Sequence, residues 1–188
     1  MTSERWAGPL THADESVLAR AEPPVLDIGC GPGRHVAALA ERGAVSLGLD
    51  ITPAAVAQAR DRGASVLERS VFDRVPGCGR WASALLLDGN VGIGGDPATL
   101  LARVATLLRP GGFVLVEVES RTARDPVELV RLVVEGRLGP WFPWTRLGVD
   151  DLAPVAAAAG LLATERWEDG GRSFARLTRR RHESPAPS

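Results

Sequence analysis

Three glycines set two residues apart, Gly29, Gly31 and Gly33, close the apolar run Val25-Leu-Asp-Ile-Gly-Cys-Gly-Pro-Gly33 and restrict the folds open to this chain. Val25 to Ile28 have strand character and are bounded by Pro23 and Pro24. Glycines carry no Cβ, so the backbone can turn sharply after that strand and come close to a ligand. From Arg34 the spacing becomes helical, with Val36, Leu39 and Ala40 on one face and Gly43 as a C-terminal cap. The unit is strand, glycine turn, helix.

Several nucleotide-binding folds share that unit, and the glycine spacing separates them. A dinucleotide fingerprint needs a small residue in its last slot so that helix and strand pack closely. Here that slot holds Arg34 counted from Gly29, or Val36 counted from Gly31. A Walker phosphate loop needs a lysine, and the chain contains none.

Asp-Ile-Gly-Cys-Gly-Pro-Gly resembles the first motif of the class I S-adenosylmethionine (SAM) dependent methyltransferases. That resemblance implies a cofactor, SAM, and a ribose-binding acid at the end of the next strand. Val45 to Leu49 read as that strand and Asp50 ends it, about 20 residues after the turn, as ribose recognition in such a crevice requires. The resemblance assigns the cofactor to Asp27, Gly29, Cys30, Gly31, Gly33, Asp50, Ile51, Ser70, Val71 and Asp88. Asp27 suits an ammonium or sulfonium charge, or else it caps backbone N–H groups as a buried acid. Where the family places an acid on the adenine amine this chain offers Ser70, which leaves backbone near Val71, or Asp73, for that contact, with Phe72 either packing on the ring or in the core.

The rest of the chain fits the same outline. Residues 1–24 are a lead-in, with Thr11 capping a helix to about Arg20. Trp6 and His12 in it are candidates for lining an acceptor site, against a loosely packed terminal helix. Thr52-Pro53 open a second helix that Gly63 stops, and Ser65 to Arg69 are a third strand. Arg74 to Arg80 replace a full helix, and Trp81 to Leu87 form a buried central strand. Asp88-Gly-Asn-Val-Gly-Ile-Gly-Gly95 follows, where ligands meet the carboxyl ends of parallel strands. Asp88 and Asn90 are candidates there for the cofactor's amino-acid end or the acceptor, unless the loop is only a tight turn.

Asp96-Pro97 start the next helix and Arg109-Pro-Gly-Gly112 end it, and Phe113 to Val118 are the fifth strand, a stretch whose wording also matches the family. Glu117 and Glu119 alternate with apolar residues and are expected to face a polar loop or solvent. Residues 120–148 are a candidate acceptor-site insertion, with a helix expected from Asp125-Pro126 to Glu135 and aromatic Trp141, Phe142 and Trp144 beyond it. These aromatics either build an apolar acceptor pocket or plug the space beneath the loop. Asp150 to Ala159 read as the last helix, and Asp169-Gly-Gly171 joins two strands, Leu162 to Glu168 and Arg172 to Thr178, in a hairpin.

The expected fold class is therefore α/β, a Rossmann-like methyltransferase fold over residues 25–178, with a mostly parallel seven-stranded sheet ordered 3-2-1-4-5-7-6 and a C-terminal antiparallel hairpin. The expected reaction is in-line methyl transfer to an oxygen, nitrogen or carbon of a small molecule. If a protein base takes part, Asp88, His35 and His12 are the candidates. A non-catalytic SAM-binding partner protein is the alternative, and an NAD(P) oxidoreductase a third reading.

Composition bounds the partners. The chain has 188 residues, a formal net charge of −1 and positive charge carried by arginine alone, which points to no nucleic acid partner. Cys30 and Cys78 lack metal-ligand spacing, so no metal is expected and a reduced, cytoplasmic setting is. No apolar run approaches the ~20 residues of a membrane span, so no membrane partner is expected. Residues 179–188 read as a disordered basic tail. Monomer and homodimer both stay open.

Overall fold

A computed structural model describes residues 6, 8–120, 126–131, 133–134 and 136–179. Among the described residues, helices α1 (His12–Leu18), α2 (Arg34–Glu41), α3 (Pro53–Asp61), α4 (Pro97–Leu107) and α5 (Leu152–Ala158) surround a seven-stranded sheet. Its strands are β1 (Val25–Ile28), β2 (Ser46–Asp50), β3 (Val66–Glu68), β4 (Trp81–Leu86), β5 (Leu108–Val118), β10 (Leu161–Asp169) and β11 (Arg172–Arg179). They lie in the order β3-β2-β1-β4-β5-β11-β10. The first five are parallel, and β11 runs antiparallel to both β5 and β10. Taken in sheet sequence this is the expected order, closed by the expected hairpin.

Strand alternation sorts the core into two layers. Leu26, Ile28, Ala84 and Leu86 pack with α4 and α5 residues such as Leu100, Leu101 and Leu152 on one face. Leu85, Leu87, Phe113 and Leu115 meet α1 and α2 through Val17, Leu18 and Leu39 on the other. Successive strand residues point to opposite faces, so a strand buried on both sides is largely apolar, as β4 is apart from Ser83, whose hydroxyl donates to the Glu22 carbonyl at 2.8 Å. Helix α1 starts in a capping box: the Thr11 hydroxyl accepts from the Asp14 N–H, and the Asp14 carboxylate accepts from the Thr11 N–H.

Two local expectations are corrected. The helix expected up to Glu135 is instead strand among its described residues: β6 (Glu128–Val130) pairs with β9 (Phe142–Trp144), and β7 (Val133–Val134) pairs with β8 (Arg137–Leu138). Asp125 and Glu135 lie outside the described residues. Val130 and Val133 explain the change, since β-branched side chains suit a pleated ribbon better than a helix. Strand β5 also begins five residues early, with its register against β4 broken between Trp81 and Ser83, so the Arg109-Pro-Gly-Gly112 turn is absorbed as an irregularity in the strand. Of the expected tail, Arg179 ends β11 and residues 180–188 lie outside the described residues.

Strand β9 and the residue that follows it are fixed to the loop after β4. Thr145 N–H donates to the Gly92 carbonyl at 3.1 Å and Gly94 N–H to the Pro143 carbonyl at 2.9 Å. A Cβ at Gly92 would overlap the Thr145 carbonyl oxygen, and neither backbone can retreat easily in a close-packed interior. Gly92→Ala is therefore expected to destabilise the protein by about 2–3 kcal/mol, read from denaturant unfolding, whereas Gly43→Ala, where a Cβ meets open space, should lose only the penalty of its left-handed backbone. Equal losses for the two would contradict this packing.

Candidate functional site

The glycine turn after β1 builds one side of a cavity of about 380 Å³, within the ~300–1,000 Å³ usual for small-molecule sites. It reaches the carboxyl ends of β1, β2 and β4 through Ile28, Asp50 and Leu87. Gly29 and Gly31 take φ of 71° and 52°, and the Gly29 and Cys30 N–H groups donate to the Leu49 carbonyl at 2.8 and 3.0 Å. A Cβ at Gly31 would meet nothing within 4 Å, so an open shelf of backbone faces the cavity there. Gly33 serves packing instead: its φ is 78° and a Cβ would lie 2.7 Å from that of Ala59. Cys30 is buried against Gly48, and burial pushes its thiol well above the ordinary range, which leaves no thiolate for nucleophilic chemistry.

Asp50 sits at the cavity wall, 6% exposed. One carboxylate oxygen accepts the Gly31 N–H and the other the Thr52 N–H, each at 2.8 Å. Burial raises its pKa, and these two backbone hydrogen bonds oppose the rise. Each oxygen keeps acceptor capacity, so the pair can receive two neighbouring hydroxyls. Ile51 and Val71 line the cavity beside it, and Phe72, 43% exposed, stands at its rim rather than in the core. Ser70 also lines it, but its hydroxyl accepts the Phe72 N–H at 3.2 Å.

At the other end Asp27 and Arg34 both line the cavity and both hold buried atoms without a hydrogen-bond partner, Asp27 Oδ2 and Arg34 Nε. Leaving such groups unpaired costs about 1–3 kcal/mol each, which a ligand bearing an ammonium and a carboxylate would offset. His35 Nδ1 lies 3.6 Å from Asp27 Oδ2.

Behind this wall is a buried ion cluster that the sequence did not announce. Arg34 Nη2 donates to Asp88 at 2.8 and 3.1 Å and to Asp14 at 3.2 Å. Arg172, the first residue of β11, donates to Asp14 at 2.7 Å, Glu117 at 2.7 and 2.8 Å, and Asp88 at 3.3 Å. Glu117 also accepts the Asp88 N–H at 2.6 Å, which fixes a non-glycine residue at φ 55°. Glu117 is thus buried in ion pairs rather than turned to a polar loop or solvent; a charge inside an apolar strand run was the signal, because such a charge must find a partner. Burial raises the Asp14 pKa, but hydrogen bonds from His35, Arg172 and Thr11 outweigh it and hold the carboxyl far below the usual range. Burial lowers that of His35, and its contacts with Asp14 and Asp27 outweigh this and lift it to about 9.

The expected site residues divide accordingly. Asp88, Asn90, Phe142, Trp144 and Trp6 come together around the cavity, and the Asn90 amide donates to the Ile28 and Gly29 carbonyls at 2.8 and 2.9 Å. Phe142 and Trp144 are wall, meeting edge to face at 5.9 Å. Trp141 does not join them: it is 60% exposed and stacks on the Arg131 guanidinium. His12 is displaced too, its side chain 89% exposed and 2.9 Å from Asp169 in the hairpin turn, because the capping box points it outward. His35 lines the cavity but, as an imidazolium, has no lone pair to accept a proton at neutral pH, and Asp88 is held by two guanidiniums.

Residues 25–112 match the family described as "Methyltransferase domain". Among curated proteins the chain is similar to a trans-aconitate 2-methyltransferase of Methylobacterium radiotolerans, 34% identical over 148 residues, covering 73% of this chain and 54% of that protein. A protein of the same name from Paracidovorax citrulli is 29% identical, over 80% of this chain and 59% of the relative. The chain thus spans little more than half the length of these relatives. Among solved structures, a SAM-dependent methyltransferase from Bacteroides fragilis in complex with S-adenosylhomocysteine superposes with a TM-score of 0.74 at 26% identity, over 90% of this chain and 77% of its own.

The raised His35 pKa predicts a pH dependence. Its stabilisation is fully present below the unfolded value of 6.5 and is lost as pH rises through about 9. Thermal unfolding should show stability falling across that window by about 3 kcal/mol, and His35→Asn should abolish the slope. An unchanged slope in the variant would place the titrating group elsewhere.

Proposed function

This chain belongs to the class I SAM-dependent methyltransferases, and from that premise we propose that it transfers a methyl group from SAM to a small-molecule acceptor. The observation that carries the reading is Asp50, whose two oxygens are aimed by the Gly31 and Thr52 N–H groups at the edge of a cavity floored by glycine backbone. In this reading Asp50 receives both ribose hydroxyls and Gly31 gives the backbone clearance. Ile51, Val71 and Phe72 flank the adenine, while the methionyl ammonium and carboxylate complete Asp27 Oδ2 and Arg34 Nε. Bound SAM supplies an activated methyl on a sulfonium.

The protein's part is then orientation and exclusion of water. Asp88, Trp144 and Trp6 close the wall toward the acceptor, and positioning of this kind supplies much of the rate when the leaving group is already good. Neither His35 nor Asp88 is free to take a proton, which favours an acceptor that attacks without a protein base. The same observation keeps the non-catalytic SAM-binding reading in play, and product analysis separates the two. The Arg34 side chain, locked in ion pairs where a dinucleotide fold needs a small residue, argues against NAD(P). The relatives' name makes trans-aconitate an acceptor to assay first.

Calorimetry with SAM, S-adenosylhomocysteine and NADH tests the cofactor. The first two should bind and NADH should not, and Asp50→Ala should weaken the sulfur ligands about tenfold to a hundredfold. Loss of no affinity in the variant, with its fold intact, would sink the assignment of Asp50. Release of S-adenosylhomocysteine with an acceptor present distinguishes the enzyme from a pure binder.

A further inference from the structure

A second cavity of about 280 Å³ is not used by the reading above. It lies beyond the carboxyl ends of β4 and β5, and it shares Trp6, Asp88 and Trp144 with the larger cavity. The two cavities adjoin at these residues, so a molecule in one would be the neighbour of a molecule in the other. We propose that this cavity is the acceptor subsite and that it takes a protonatable amine rather than a carboxylate. The inference rests on the methyltransferase reading and names its substrate class.

Charge selects the class. The cavity is lined by the carboxylates of Asp88, Glu117 and Glu119 against two guanidiniums, Arg146 and Arg172. Arg172 is not available to an anion, because its donors are already spread over Asp14, Glu117 and Asp88 at 2.7 to 3.3 Å and its side chain is 14% exposed. Arg146 and Glu119 are both exposed, so solvent and salt weaken each of them, and the less exposed carboxylates of Asp88 and Glu117 face Arg172 alone among the lining cations. The three lining carboxylates against two lining guanidiniums leave one negative charge on this cavity's wall.

Shape and rigidity point the same way. The Glu119 backbone is pinned, its N–H donating to the Leu147 carbonyl at 2.9 Å and its carbonyl accepting the Val149 N–H at 3.0 Å. Its exposed side chain is therefore anchored at its base on the cavity rim. Trp6 and Trp144 add aromatic surface, which attracts a cation and gives an anion nothing. An amine held here as its ammonium first loses one proton to solvent beside Glu119. The freed nitrogen lone pair then forms the new N–C bond to the methyl as the C–S bond breaks, its electron pair remaining on sulfur, and the product leaves as the methylated ammonium, with one proton released in all.

The test separates this inference from the reading beneath it. Protein loaded with S-adenosylhomocysteine is titrated at neutral pH with benzylammonium and with benzoate, which share a ring and differ in charge, and the titrations are repeated on Glu119→Gln. Benzylammonium should bind at least tenfold more tightly than benzoate, and the substitution should weaken it threefold or more while S-adenosylhomocysteine affinity holds. Benzoate binding equally or better, neither probe binding, or an indifferent Glu119→Gln overturns the amine assignment and leaves the methyltransferase reading standing. Failure of S-adenosylhomocysteine itself to bind overturns both.

Discussion

The guanidinium of Arg172 is the point at which the separate parts of the molecule meet. It sits just past the turn of the last hairpin and bonds to α1 through Asp14, to β5 through Glu117 and to the end of β4 through Asp88. Arg34, from the start of α2, doubles two of those links. Buried ions carry a desolvation cost that close pairing only partly repays, and removing one partner strands the rest. The cluster is accordingly better understood as a device that fixes geometry than as a reserve of stability. What it fixes is the Asp88 turn, where a left-handed backbone, a carboxylate and the shared wall of two cavities coincide.

Much of the fold could be read without coordinates because local chemistry and global topology agree in it. The glycine turn, Asp50, the β4 run and the Asp-Gly-Gly hairpin each have one reasonable backbone, and the sheet order came from the family they resemble. The meeting of Asp50 with the glycine turn at the candidate site was legible for the same reason: Asp50 and Gly31 are adjacent because β1 and β2 are parallel neighbours in register, Asp27 opposite Gly48. The ion cluster was not legible. Asp14, Arg34, Glu117 and Arg172 come from four distant segments, and no spacing rule joins them; only Glu117, a charge within an apolar strand, hinted that a partner had to exist.

The insertion shows where periodicity misleads. A proline start and a run with several leucines and valines suggest a helix, but β-branched residues and a nearby Phe-Pro-Trp partner strand favour a ribbon. That ribbon's edge is then fastened at Gly92 and Gly94, so Phe142 and Trp144 become wall while Trp141, one residue earlier, is left outside. The same logic displaced His12, whose neighbour Asp14 is drawn inward by the cluster.

A crystal structure of the protein with S-adenosylhomocysteine is the most direct test of the central claim. The account predicts the ribose hydroxyls on the two Asp50 oxygens, the homocysteine ammonium at Asp27 and its carboxylate near Arg34 Nε, with the sulfur directed at the wall shared by the two cavities. Density for the ligand elsewhere, or an amino-acid end turned away from Asp27 and Arg34, would contradict it.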